Sequence, residues 1–361
     1  MNLNPFIRPK SSNVRTVMLD VVYALIPLII IAGIAFGKSG LFVIGISIGS
    51  AVLTDLFYSA VFLKDYKKAM DGSAIITGLL LAFTVSPLTP IYVIAFGASM
   101  AILFGKGLWG GLGKNRFNPA LVGREFMSVF FASTMTSPEI WQTKTAVWIP
   151  ATDVIHGLKF QFLDTYTDNL LYKTSGALGE YSIALITLAG IFLLFRKRIS
   201  WHIPFGLLVT FSVIGWLASD QDVQFSMAGM LFAAIFMATD MPSSPSTPVG
   251  KLYYGAMIGV VSLILIIGNV KYEYLSYSIL ILNGFSYMIS DTFRPQTWGA
   301  DRNIRSFIER CLLLTLAIIG TTMAVLSLYY YQLISYLIYI YLFYCLVKFN
   351  PATAKSTQNS F

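Results

Sequence analysis

Two apolar stretches of this chain stop short of the length that spans a bilayer, and both end on the same breaker. Residues 71–90 read DGSAIITGLLLAFTVSPLTP and residues 225–248 read FSMAGMLFAAIFMATDMPSSPSTP; each is rich in Gly, Ala and Thr and closes on S-P-x-T-P. A helix needs about 20 apolar residues to cross a ~30 Å hydrocarbon core. Proline removes a backbone donor and keeps the residue before it out of helical geometry. In lipid, backbone groups freed by such a break must find partners inside the protein or line a cavity. A pair of interrupted helices, one in each half of a membrane protein, therefore points to an internal repeat with the functional centre between the copies.

The rest of the chain supports a membrane reading. Of its 361 residues 56% are apolar and 12% charged, far from the roughly 25% charged of soluble domains. Runs at 17–36, 41–63, 252–268 and 311–328 are close to spanning length. Residues 1–15 are polar and basic, and the first apolar run is long enough to stay in the membrane, so no cleavable signal is expected. Helices are expected at 17–36, 41–63, 73–86, 90–106 and 119–133, then, after a polar segment, at 181–195, 202–217, 226–239, 252–268 and 275–290. Two more spans follow at 309–328 and 331–348. Threading these through a bilayer leaves 20 of the 25 Lys and Arg on the N-terminal side and 5 on the other, which makes the N-terminus cytoplasmic. Each group of five helices then enters from the opposite side. The expected fold is an all-α integral membrane protein of two inverted five-helix repeats plus two C-terminal helices, divided as 1–133, an extracytoplasmic segment 134–179, 180–299 and an extension 300–361.

Several chemistries are excluded. The net charge of +8 is gathered in short loops such as KDYKK at 64–68 and RKR at 196–198, with no continuous basic face for nucleic acid. Cys311 and Cys345 form no Cys-x-x-Cys, and His156 and His202 both fall in expected loops. An iron–sulfur cluster, a bis-histidine haem or a metal site is not expected.

Residues 104–125, FGKGLWGGLGKNRFNPALVGRE, place Asn118 as N-cap and Pro119 in the first turn of a helix. With Lys114, Arg116 and Arg124 nearby, this helix start suits an anion or an electron-rich ring; a glycine-rich turn with ordinary cytoplasmic charges is the plainer reading. Membrane-level carboxylates are few: Asp20, Asp55, Asp71, Asp240, Asp291 and, on the opposite side, Glu180. Burying a charge in the bilayer is costly, so each is a candidate for an ion path or a cofactor contact. Asp71, Asp240, Gly78 and Thr239 are the candidates for the ion path at the two breaks.

An ordered string of motifs then resembles a known family. NPFIRPKSSNVRTVMLDVVYALIP, DGSAIITGLLLA, GKGLWGGLGKNRFNPALVG, GALGEYS at 176–182, RKRISWHIP, FMATDMPSSPSTPVGKLYYG and ILILNGFSYMISDTFRP resemble, over residues 5–299, the D subunit of the Rnf ion-translocating electron-transport complex. They are also similar to its homologue, the B subunit of the sodium-translocating NADH:quinone oxidoreductase. The resemblance implies a ten-helix core, FMN joined through its phosphate to an outer-side threonine, a second, noncovalent flavin, and partnership with other membrane and peripheral subunits that move Na+ or H+ across the inner (cytoplasmic) membrane. Asn118 and Arg124 at that helix start and the carboxylate of Glu180 are the candidate cofactor contacts, and the resemblance makes Thr152, in VWIPATDVIHGLK, the candidate flavin threonine. Ala151, Thr152, Leu158 and Lys159 match the family pattern D-x-x-S-G-A-T with its following Leu-Lys, whereas Ala146, Ile149 and Pro150 replace its Asp, Ser and Gly. The alternative is a flavin-free transporter or channel on the same scaffold. The C-terminal extension, rich in Tyr, lies beyond the resemblance.

The charge distribution generates a test of topology. A cysteine at Gln142 is expected to react with a membrane-impermeant thiol reagent on intact cells, while Lys197→Cys is not; the reverse labelling would invert the topology.

Overall fold

The computed structural model describes residues 14–64, 66–141, 176–217, 225–295 and 304–348, and among these every regular element is helical. Thr152 and residues 142–175 of the expected outer segment lie outside the described residues. The fold is that of an all-α membrane protein. Among the described residues four helical stretches, Arg15–Leu63, Ile91–Trp109, Pro248–Ile267 and Ile304–Tyr330, are long and apolar enough to cross a membrane. Large apolar side chains such as Phe57, Phe195, Trp216 and Leu313 lie on the outside, where lipid rather than water suits them.

Helix α1 (Val14–Tyr58) consists of two limbs joined at Gly37, whose φ of 59° and ψ of −140° are not helical and are cheap only without a Cβ. The chain folds back there. A Cβ on Gly33 would lie 3.0 Å from Leu41, and one on Gly40 would lie 3.1 Å from the Ala32 carbonyl oxygen, although residues eight apart in an unbroken helix are separated by about 12 Å. The second limb runs into a π turn at Ser59–Leu63. Next come α2 (Ser73–Phe83) and α3 (Ile91–Met100), which continues into a π segment at Ala101–Lys106. Helix α4 (Pro119–Phe130) and the short α5 (Ala132–Met135) and α6 (Pro138–Trp141) complete the first group.

The second group holds α7 (Ile183–Phe195), α8 (His202–Leu217) and α9 (Met227–Phe232), which continues as a π segment at Ala233–Met237, then α10 (Pro248–Ile267) and α11 (Tyr274–Thr292). Helices α12 (Ile304–Tyr330) and α13 (Ile334–Lys348) follow. The spans expected from the sequence recur in order. The first short run, expected over 73–86, ends at Phe83 because Ser86 precedes Pro87 and is disfavoured as helix.

Both breakers act as the sequence implied. Helix α3 starts after Pro90, and α10 starts with Pro248 at its first position behind the Thr247 cap, whose Oγ1 accepts from Gly250 N at 3.2 Å. The two short helices lie together in the core, with Phe83 and Phe232 in edge contact at 5.8 Å. They run in opposite directions. The C-terminal end of α2 (Phe83, Thr84) shares one cavity with the start of α9 (Ser226, Gly229), and the start of α2 (Ser73, Thr77) shares another with the end of the α9 segment (Phe236, Thr239).

Nine of the eleven residues of α2 are buried, and its tightest contact is Gly78. A Cβ there would sit 2.8 Å from Ile48 Cα and 2.9 Å from the Ser47 carbonyl oxygen, and Ser47 Oγ donates to the Gly78 carbonyl at 2.7 Å. Backbone on both sides leaves nothing flexible to yield. Gly78→Ala is expected to destabilise the protein by about 1–3 kcal/mol and Gly78→Leu by more, read as a lowered melting midpoint in detergent; an unchanged midpoint would mean that α1 and α2 separate freely.

Candidate functional site

Helix α4 ties the two broken helices together. A helix leaves its last four carbonyls without intrahelical partners, and in lipid each unmet carbonyl costs several kcal/mol. At the end of α2, the Thr84 carbonyl accepts from Arg124 Nη1 at 2.6 Å, and the Val85 carbonyl accepts from Leu178 N at 2.9 Å. At the end of the α9 segment, the Met237 carbonyl accepts from Asn118 Nδ2 at 3.1 Å. Asn118 meanwhile caps its own helix, its Oδ1 accepting from Ala120 N at 3.0 Å and Leu121 N at 3.4 Å. Asn118 and Arg124 are six residues apart, about 9 Å along the axis, so one helix serves the two ends that the antiparallel arrangement separates.

At the Arg124 end lies a cavity of about 410 Å³. Arg124 Nη2 also donates to the Tyr272 carbonyl at 2.9 Å, its guanidinium lies 5.9 Å from the Trp141 ring centre, and its buried Nε meets no acceptor among the described residues. Trp141 and Tyr272 stack at 5.2 Å and 11°. Opposite them, Glu180 Oε2 accepts from Ser226 Oγ at 2.6 Å, and Ser226 caps α9 by accepting from Gly229 N at 3.1 Å. Burial pushes the carboxyl of Glu273, in the turn before α11, above its ordinary range, with Arg124 opposing the shift. A flat aromatic wall, a cation with a spare donor and a carboxylate thus converge on one space.

The second cavity, about 420 Å³, lies at the Lys106 end. Lys106, at the close of the π segment, places Nζ 2.8 Å from Asp55 Oδ2, 2.7 Å from Ser73 Oγ and 3.9 Å from Asp71 Oδ2. The Lys106 and Asp55 side chains are 6% and 4% exposed, so their charges are held by each other rather than by water. Asp71 in turn accepts from the N–H and hydroxyl of Ser73, at 2.8 and 2.6 Å. Across the cavity, Asp240 Oδ2 accepts from Asn115 Nδ2 at 3.0 Å and from Ser243 Oγ at 2.7 Å. Asp20 binds Arg196 at 2.9 Å and Arg198 at 2.6 Å, joining α1 to the turn after α7.

The sequence candidates divide between these places. Arg124 and Glu180 line the first cavity; Asn118, Thr239 and Asp240 line the second, with Asp71 beside it through Ser73 and Lys106. Gly78 packs against α1, and its neighbour Thr77 faces the second cavity. Arg124 does not gather with Lys114 and Arg116 at the start of α4; it reaches the opposite end, beside Lys271. The charge pattern points to isolated carboxylates and misses Lys106, whose signal is a lysine closing an apolar run at the depth of Asp55. Trp141 and Tyr272 carry no sequence signal, since their pairing joins residues more than 130 positions apart.

Residues 1–299 match the NQR2, RnfD, RnfE family. The chain is 32% identical over 316 residues, 83% of its length and 95% of the relative's, to the D subunit of the Na(+)-translocating ferredoxin:NAD(+) oxidoreductase complex of Acetobacterium woodii. It is 31% identical over 321 residues, 83% and 96% of the two lengths, to the D subunit of the proton-translocating ferredoxin:NAD(+) oxidoreductase complex of Clostridium ljungdahlii. To the B subunit of the Na(+)-translocating NADH-quinone reductase of Neisseria meningitidis it is 30% identical over 274 residues, 69% and 66% of the lengths.

The buried pair at the Lys106 end is testable as a unit. Lys106→Met leaves Asp55 charged and unpartnered and is expected to cost about 3–5 kcal/mol. Adding Asp55→Leu removes the stranded charge and should recover most of that loss in denaturant unfolding. Equal stability of Lys106→Met and the parent would show that the pair does not hold these helices.

Proposed function

The chain belongs to the NQR2, RnfD, RnfE family, and on that membership and the geometry of its two cavities we propose that it is the membrane subunit of an ion-translocating oxidoreductase complex, carrying flavin and coupling electron transfer to movement of Na+ or H+. The observation that carries this reading is the pair of antiparallel half-helices, pinned at opposite ends by Arg124 and Asn118, with a cavity at each end that charged and amide side chains reach. The antiparallel pair also supports the reading of two inverted five-helix repeats, and the excess of Lys and Arg on the N-terminal side supports an inner-membrane protein with its N-terminus cytoplasmic.

The Arg124 end suits a flavin by its own residues. The Trp141–Tyr272 stack offers a face for a planar ring, the Nε of Arg124, which meets no acceptor among the described residues, is a donor for a ring or phosphate oxygen, and about 410 Å³ is within the usual range of cofactor pockets. Trp141 and Gly176, the described residues that flank the segment holding Thr152, both line this cavity, which supports Thr152 as the residue that carries FMN on a phosphoester. The cavity at the Lys106 end, which Asn115 and Asn118 line, is the place for a second, noncovalent flavin. Flavin supplies electron carriage by one or two electrons. The protein's part is to orient the rings, exclude water and keep charge paired. Asp71, Asp240 and the Lys106–Asp55 pair are the groups for the cation path. Other membrane and peripheral subunits supply and remove the electrons.

Purified protein is expected to show the visible absorption of bound flavin. After denaturation, fluorescence should stay with the polypeptide band in a gel and vanish in Thr152→Val at undiminished expression. Flavin that dissociates on denaturation would overturn Thr152, and protein without any flavin absorption would favour a transporter on this scaffold.

A further inference from the structure

Helices α12 and α13 lie beyond residue 299, where the family match ends, yet they are joined to the core by specific contacts. Tyr341 of α13 donates to the Phe104 carbonyl at 2.8 Å and accepts from Trp109 Nε1 at 3.0 Å. Thr315 of α12 shares a hydrogen bond with Tyr253 at 2.8 Å. Between this pair of helices and the core a cavity of about 410 Å³ remains, partly open along the seam, with Phe117, Phe126, Ile281, Phe285, Leu337 and Ile338 among its walls. Apolar walls gain dispersion contact only when an apolar body lies against them.

One charged side chain among the described residues enters this space. Glu125, on α4, is 2% exposed; its Oε1 accepts from Ser276 Oγ, while its buried Oε2 meets no donor among the described residues. A buried acceptor without a donor is costly, and its position on an apolar cavity marks where a ligand's donor belongs. Among the described residues no lysine or arginine lines the cavity, which argues against a phosphate head group. The cavity lies against α12, which is long and apolar enough to cross a membrane, so an amphiphile from the bilayer is the ligand that fits it.

We propose that this cavity is a binding site for an aliphatic amphiphile with a hydroxyl head, the hydroxyl donating to Glu125 Oε2 and the chain lying between α11 and α13. The two C-terminal helices thereby form one wall of a lipid-alcohol site on the family core. This site is separate from both cavities assigned above and does not depend on the flavin reading.

The test uses the full chain in nanodiscs with a diazirine-bearing long-chain alcohol and its methyl ether, which has the same chain and no donor. The alcohol is expected to cross-link to peptides of α4, α11 and α13, and to do so roughly tenfold more than the ether, the difference made by one hydrogen bond to a carboxylate. Glu125→Met, which keeps the bulk and removes the acceptor, should erase that preference. Gly284→Phe fills the cavity, since a Cβ at Gly284 has Phe117 as its nearest neighbour at 4.0 Å, and should abolish labelling by both probes; Leu337→Trp is the second filling variant if that protein does not fold. Equal labelling by alcohol and ether in the parent would reduce the site to ordinary lipid contact. Labelling undiminished by a folded filling variant would place the probe elsewhere. Either result overturns the proposal.

Discussion

The structure depends on how two helices are allowed to stop inside a membrane protein. A helix end exposed to lipid is not viable, because its terminal carbonyls have no water to turn to. Here the carbonyl of Thr84 is taken by Arg124 and that of Met237 by Asn118, both from α4. The breaks thus become fixed points, and α2 and α9 are held antiparallel, each tied at one end to the same short helix. A cavity adjoins each break, and Arg124 lines one while Asn118 lines the other.

The same economy governs the buried charges. Lys106 is surrounded by Asp55, Asp71 and Ser73, Asp20 by two arginines, and Asp240 by an amide and a hydroxyl. Each of these carboxylates is held by a partner from another part of the chain, so the charges also decide which helices stay together. Removing a single partner is more damaging than removing a pair, because it is the stranded charge that costs. The arrangement keeps these carboxylates inside the protein, where burying a charge without a partner would be costly.

The C-terminal helices add a surface beyond the part of the chain that matches the family. They dock through Tyr341 and Thr315, and Lys348 lies 4.7 Å from the centre of the Trp109 ring. They cover Glu125 from the lipid, where an unpaired carboxylate would be least tolerable. That places the extension and the acid in one structural problem, although they are far apart along the chain.

The sequence by itself determined the order of the main helices, because the length of an apolar run and the position of a proline are local properties; the short α5 and α6 are not legible in it. The S-P-x-T-P breakers, the Asn118 cap and the turn before each long helix are legible for that reason. It also determined the family, through motifs long enough to be specific. Only the tertiary structure decided the partners. By its place in the chain Arg124 belongs to a basic cluster at the start of α4, yet it acts at the other end, because a rise of 1.5 Å per residue carries six positions across much of a half-helix. Lys106 is invisible in the sequence as the partner of Asp55, and Trp141 as the partner of Tyr272, since both pairs join residues whose proximity exists only after the helices pack. Pairing in the core depends on which faces meet, and no local pattern of residues encodes that.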